Sequence, residues 1–148
     1  MLTDQQLKNR LSGIGGSDAG AICGFSPYST VLDVYLSKKG LKESKADSRQ
    51  MKWGNLLEPV IRDNYAREFS KDVLVTEETF YHNEYPFMLA HVDGLIGDNG
   101  ILEVKTTQFL SKDWGAQFTD HVPKYYLLQC VHYMAVLDRD YVDLACGW

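Results

Sequence analysis

The chain has no run of the roughly 20 uninterrupted apolar residues that a membrane-spanning helix requires. Its N-terminal MLTDQQLKNR also lacks the basic-then-apolar order of a secretory signal. The expectation is a cytoplasmic protein without a membrane partner. Cysteine is scarce: Cys23, Cys130 and Cys146 are odd in number, far apart and without a CxxC pair. Neither a disulfide framework nor a zinc or iron–sulfur site follows from that spacing. Positive charge is short as well, with 15 Lys and Arg against 20 Asp and Glu, a net charge of −5 and a pI near 5.3. Coating of nucleic acid by bulk electrostatics is therefore excluded, and any contact with it must be local. The Gly13, Gly15, Gly16 cluster is no dinucleotide fingerprint, because no strand precedes it and G-x-G-x-x-G is incomplete. Internal repeats and low-complexity tracts are lacking too.

What is present suffices for one core. The 148 residues, 45% hydrophobic and 12% aromatic, fit a single domain over 1–148. Thr3 and Gln6 form a T-x-x-Q capping box that opens a short helix with Leu7 and Leu11 on one face. Ser17 is placed to cap a second helix through Ile22. A third is predicted over about Thr30 to Lys39, carrying Val31, Leu32, Tyr35 and Leu36 and stopped by Gly40. Leu41 to Gln50 reads as an exposed loop. A long helix then spans about Trp53 to Phe69, with Leu57, Val60, Ile61, Tyr65 and Phe69 at helical spacing and Pro59 as its irregularity. Three strands follow, Val73 to Tyr81, Met88 to Ile96 and Ile101 to Phe109, then a helix from Pro123 to about Leu137 and a strand from Tyr141 to Trp148.

Chemistry concentrates in Ile101-Leu102-Glu103-Val104-Lys105-Thr106. Alternation along a strand puts Glu103 and Lys105 on one face and Leu102, Val104 and Thr106 on the other. On the preceding strand Asp93 shares its face with His91 and departs from the apolar face of Ala90, Val92 and Ile96. If the hairpin brings Asp93 opposite Glu103, two carboxylates lie about 5 Å apart, an arrangement that calls for a cation. Mg²⁺ suits it, since that ion takes one or two carboxylates and fills its shell with water and phosphate oxygens. An ammonium such as Lys105 beside a cation and a phosphate can have its pKa lowered, can orient or deprotonate a water, and offsets transition-state charge. Taken alone, E-x-K is more often a solvated strand face with ordinary ion pairs.

Six segments in order alter that weighting: R-L-S-G-I-G-G-S-D-A (Arg10 to Ala19), F-S-P-Y-S-T (Phe25 to Thr30), W-G-N-L-L-E-P (Trp53 to Pro59), A-H-V-D-G (Ala90 to Gly94), L-E-V-K-T (Leu102 to Thr106) and V-P-K-Y-Y-L-L-Q (Val122 to Gln129). Together they resemble the PD-(D/E)XK nucleases, and more narrowly the YqaJ viral recombinase group, relatives of bacteriophage lambda exonuclease. The resemblance implies an α/β, restriction-endonuclease-like core, a central mixed β-sheet flanked by helices. It implies Asp93 and Glu103 as metal ligands with the backbone carbonyl of Val104 as a third, Lys105 as the catalytic lysine, and Mg²⁺ as cofactor with Mn²⁺ able to substitute. Glu58 and Gln129 join the catalytic set by the same resemblance. Gly54, one turn before Glu58, leaves space beside it, and Tyr126 and Tyr133 share a helix face with Gln129. Arg10 and Ser17 are implied as holders of a terminal 5′-phosphate, in keeping with the affinity of a helix N-terminus and a guanidinium for anions.

The activity so implied is Mg²⁺-dependent hydrolysis of DNA phosphodiesters, 5′-to-3′ on linear duplex ends, in phage-type recombination within a host cytoplasm. The implied partners are duplex DNA ends, a single-strand annealing protein and two further copies in a homotrimer. The alternative is a catalytically silent DNA-end-binding or protein-binding module that keeps the fold. Two departures stand: Val92 replaces the proline before Asp93, and the chain ends at Trp148 where relatives continue through another strand and helix, so the domain is either truncated or compact. The register of the hairpin decides whether the site can form. Asp93 joins Glu103 only if paired positions sum to an even number, which a two-residue Asn99-Gly100 turn forbids. The expectation is a three-residue loop, Asp98-Asn99-Gly100 with Gly100 left-handed, or a five-residue equivalent, unless a bulge farther along restores the register.

Overall fold

The computed structural model describes residues 3–42, 48–107 and 112–147. Helix α1 (Asp4–Leu11) begins where Thr3 accepts from the Gln6 amide, and the Gln6 side chain accepts at 2.8 Å from the Thr3 amide, the capping box read from the sequence. The face differs from expectation: Leu7 and Leu11 are exposed and Gln6 is buried. Helix α2 (Gly16–Ile22) starts one residue before Ser17, with Gly15 as its cap, because the Asp18 carboxylate accepts the Gly15 N–H at 2.8 Å. Helix α3 (Val31–Lys38) is capped by Thr30 and Asp33, and Gly40 follows it at a φ of 66°. It buries Val34, leaving Val31, Leu32 and Tyr35 exposed.

Helix α4 (Arg49–Glu68) starts earlier than Trp53, because Ser48 accepts from the Met51 N–H and caps it there. The expected loop over Leu41 to Gln50 thus yields its end to the helix, and 43–47 lie outside the described residues. Pro59 sits inside α4 and supplies no N–H to the Asn55 carbonyl. Of the residues at helical spacing, Tyr65 is buried and Ile61 packs against the core, whereas Leu57 and Val60 remain exposed.

The strands are shorter and more broken than the sequence implies. Val73 to Tyr81 yields β1 (Val73–Leu74) and β2 (Phe80–Tyr81), and Met88 to Ile96 yields β3 (Leu89–Ala90) and β4 (Gly94–Ile96). Strand β5 (Gly100–Thr106) ends before 108–109, which lie outside the described residues, as does Trp148 beyond β6 (Tyr141–Gly147). Helix α5 (Lys124–Leu137) starts after Pro123 as expected. One sheet has the order β1-β4-β5-β6, with β5 and β6 parallel and the other pairs antiparallel; β2 and β3 form a separate pair. The β5-α5-β6 crossover makes the mixed α/β layering. On one face Ile101, Ala90 and Val92 pack with Tyr133 and Val136 of α5; on the other Leu102, Val104 and Ile96 pack with Tyr65 of α4.

The hairpin has the required parity with different boundaries. Ile96 pairs with Gly100 and Gly94 with Leu102, so every paired sum is even. The loop is Gly97-Asp98-Asn99, and Gly97 carries the positive φ of 51°. Gly100 is glycine for another reason: it belongs to β5, and a Cβ there would collide with the Tyr141 ring. Arg139 holds this loop, its Nη1 donating at 2.8 Å to both the Gly97 and Gly100 carbonyls, while the Asp140 N–H donates to Asn99 at 3.0 Å. Loss of these charge-assisted bonds should be felt globally. Arg139→Met is expected to lower unfolding free energy by about 1 to 3 kcal/mol in urea titration, and an unchanged midpoint would remove Arg139 from the control of register.

Candidate active site

Strand β5 runs between two core faces, and its alternation delivers Glu103 to the α5 side together with Ile101. Glu103 is 3% exposed. Its Oε1 accepts from Gln129 Nε2 at 2.6 Å and pairs with the Lys105 ammonium, the next residue on that face. Gln129 Nε2 also lies 2.8 Å from the Tyr133 hydroxyl, so its amide is fixed from both sides. The expected face of Tyr126, Gln129 and Tyr133 thus turns toward the Glu103–Lys105 pair: Tyr133 and Gln129 are buried, and Tyr126 lies under Lys105. The other carboxylate oxygen, Glu103 Oε2, is buried without a hydrogen-bond partner.

Asp93 reaches the same place because the chain leaves the ladder between β3 and β4. Extending the observed register sets Asp93 opposite Glu103, and Asp93 Oδ2 accepts the Val104 N–H at 2.7 Å. A side chain here satisfies a main-chain donor that β4 does not. This break also corrects the expected single apolar face: Val92 and Ala90 lie on the α5 side and Ile96 on the α4 side. Burial, and then the Glu103 charge, push the Asp93 carboxyl up to about 8 despite the Val104 N–H. Glu58 on α4 adds to that repulsion, and its Oε1 lies 3.9 Å from Arg62 Nη1. For Lys105, burial opposes the charged form, but Glu103 and Asp93 outweigh it and its pKa is raised.

A second cluster adjoins this one. Arg10 Nη2 donates to the Ser17 hydroxyl, joining the two residues that the sequence singled out. Ser17 therefore acts through its hydroxyl and not as a helix cap. Sequence reasoning did not anticipate Lys38, which donates to the Arg10 carbonyl at 2.6 Å and pairs with Asp18 at 2.6 Å. Nor did it assign His91, whose Nε2 is 2.9 Å from Thr79 Oγ1 and whose pKa falls to about 4 through burial and then the Arg10 charge. Lys38 has no local signal 28 residues away from Arg10; His91 was visible only as a neighbour of Asp93. Tyr133 feels the charges of Glu103, Asp93 and Arg10 together, which ties the two clusters into one region. A cavity of about 840 Å³ lies elsewhere, between the second half of α4, residues 114–122 and β6.

The donor set suits a hard cation in part. Among the described residues, no three His, Cys, Asp or Glu side chains form a complete metal cage. Two apposed carboxylates, one with an unsatisfied buried oxygen, form half of one, as expected where water and phosphate complete the shell.

Residues 6–140 match the family described as the YqaJ-like viral recombinase domain. The chain belongs to that family. It is 35% identical over 144 residues to the uncharacterized protein YqaJ of Bacillus subtilis (strain 168), covering 95% of this chain and 44% of that protein. The chain thus spans less than half the length of this curated relative. Among solved structures, an alkaline exonuclease (LHK-Exo) from Laribacter hongkongensis superposes with a TM-score of 0.69 at 20% identity, covering 97% of this chain and 73% of the other. Its complex with dAMP gives 0.73 at 19% identity, covering 99% and 74%. This YqaJ-like domain therefore shares their α/β fold.

The raised Asp93 carboxyl has a signed consequence in chelator. A folded-state value of about 8 against an ordinary 3.8 means that the folded chain keeps a proton the unfolded chain releases, so this contribution to stability falls as pH rises from about 4 to 8. His91 gives the opposite slope, spent by pH 6.5. Between pH 6.5 and 8, wild type should lose up to about 1.4 kcal/mol per pH unit relative to Asp93→Asn. Parallel urea midpoints for the two proteins across that window would contradict it.

Proposed function

We propose that this chain is the nuclease domain of a metal-dependent DNA exonuclease that hydrolyses phosphodiester bonds from the 5′ ends of linear duplex. The observation that carries this reading is the apposition of Asp93 and Glu103 beside Lys105, with Glu103 Oε2 buried and unpartnered. The fold shared with an alkaline exonuclease, and the viral recombinase family, supply its context. Asp93 and Glu103, with the Val104 carbonyl, would hold Mg²⁺, or Mn²⁺ in its place. When bound, such an ion lowers the pKa of water and polarises the phosphate.

The chain's own residues have distinct tasks. Gln129 fixes the Glu103 carboxylate from behind, and Glu58, whose charge bears on Asp93, would receive a water at the edge of the pair. The Lys105 ammonium orients the attacking water and offsets charge on the phosphorane-like transition state. Its pairing with Glu103 favours the charged form, and electrostatic stabilisation is the role we assign to it. Arg10 with Ser17 would grip a terminal 5′-phosphate through charge-assisted hydrogen bonds, which would confine cleavage to ends. A strand-annealing protein and assembly into a homotrimer complete the proposal on the strength of the family resemblance.

Incubation of end-labelled linear duplex with Mg²⁺ tests it, with circular duplex and chelator as controls. Loss of label from the linear substrate alone, abolished by chelator, is expected; binding of ends with no cleavage in any divalent ion would favour the silent end-binding module. Lys105→Ala should retain metal binding and lose roughly 10² to 10⁴ in rate, and wild-type rates would remove it from the mechanism. Arg10→Ala should slow cleavage of 5′-phosphorylated ends and spare 5′-hydroxyl ends, whereas equal slowing of both would count against a phosphate grip.

A further inference from the structure

A third helix reaches the Arg10–Ser17 pair. Lys38, in the last turn of α3, is 28 residues from Arg10 in the chain, yet its Nζ donates to the Arg10 carbonyl at 2.6 Å and stands 2.6 Å from Asp18 Oδ2. The same Asp18 oxygen accepts the Gly15 N–H at 2.8 Å, the bond that starts α2. One ammonium thus ties the end of α1 to the start of α2, the two elements that carry Arg10 and Ser17. The Lys38 and Asp18 side chains are only 17% and 15% exposed, so water and salt screen little of their attraction. The Arg10 carbonyl is among the last four of α1, which have no partner within the helix, and Lys38 supplies the missing donor.

We propose that Lys38 is a positioning residue for the 5′-phosphate grip, which it serves by fixing the backbone of Arg10 and by neutralising Asp18. The inference rests on the phosphate reading of Arg10 and Ser17 above and adds to it what makes their surroundings receptive to an anion. Asp18 is needed where α2 starts, but it directly follows Ser17, so its charge stands beside any phosphate that the Ser17 hydroxyl holds. Left unpaired at this depth, that carboxylate would repel the phosphate. Lys38 cancels its charge from the far side of the chain and leaves the Ser17 hydroxyl to Arg10. With two of its three donors directed at protein oxygens, the ammonium works through Arg10 and Asp18 and not on the phosphate itself. An arginine is a long, flexible side chain, and holding its carbonyl in place lowers the entropy lost when the guanidinium closes on a ligand.

The test measures binding of two short fluorescently labelled duplexes, alike except for 5′-phosphate or 5′-hydroxyl ends, to the full chain with Ca²⁺ in place of Mg²⁺. Wild type should favour the phosphorylated duplex, and Lys38→Met should cut that preference by about tenfold. Lys38→Gln, polar but uncharged, takes its place if the methionine variant does not fold. Lys38→Arg keeps the charge and should keep most of the preference. Asp18→Asn added to Lys38→Met should restore part of it, because Asn still offers Gly15 an oxygen while the repelling charge is gone; a merely structural tie would gain nothing from losing its second partner. If wild type shows the preference, its persistence in Lys38→Met, equal weakening toward both duplexes, or no recovery in the double variant would overturn the role of Lys38 and leave the grip intact. Equal binding of both duplexes by wild type would overturn the phosphate reading and this inference together.

Discussion

Two carboxylates, Glu103 buried and Asp93 half-buried, face each other across the β4–β5 hairpin, and the cost of that apposition organises the rest of the structure. Burial and mutual repulsion hold the Asp93 carboxyl in its protonated form up to about pH 8. The surroundings offset only part of the cost. Asp93 receives the Val104 N–H, and Glu103 receives Lys105 and Gln129, but one Glu103 oxygen stays unpaired. A buried polar atom left unpaired in a native protein calls for a functional explanation. The divalent cation proposed above would supply one, in keeping with the charge and the hardness of the donors.

Holding that apposition requires both sides of the sheet. Residues Leu102 and Val104 fasten β5 to the α4 face, while Ile101 packs toward α5, so the strand cannot slide without exposing one set or the other. The turn is secured from a distance by Arg139, which lies just after α5. Close approach secures the back of the site: a Cβ at Gly16 would come within 2.5 Å of the Tyr133 ring and 3.0 Å of Gln129 Cγ, so α2 presses against the pair that orients Glu103. The same helix carries Ser17 to Arg10. The Arg10–Ser17 pair and the acidic pair are thereby linked through α2 and α5.

Much of this was legible in the sequence, for identifiable reasons. Alternation in β5 set the faces of Glu103 and Lys105, and the need for an even pairing sum foretold an odd loop. The T-x-x-Q capping box located the start of α1, and Gly40 the end of α3. What failed were readings in which a local signal competed with a contact distant in the chain. Asn99-Gly100 carries a turn signature, yet Gly100 is needed in β5 beneath Tyr141. Ser17 is a good cap by type, yet Asp18 turns the chain at Gly15. Met88 to Ile96 alternates like one strand, but Asp93 leaves the ladder to reach the site. The raised pKa of Lys105 was not legible because it depends on how tightly the carboxylates hold it.

The central claim is that Asp93 and Glu103 together form a divalent-metal site, and calorimetric titration of Mn²⁺ into the chain at pH 7 in buffers of different ionisation enthalpy tests it most directly. Saturable binding accompanied by proton release is predicted, since the ion must displace the proton held on Asp93, and both signals should vanish in Asp93→Asn. Binding no stronger in wild type than in that variant would contradict the account.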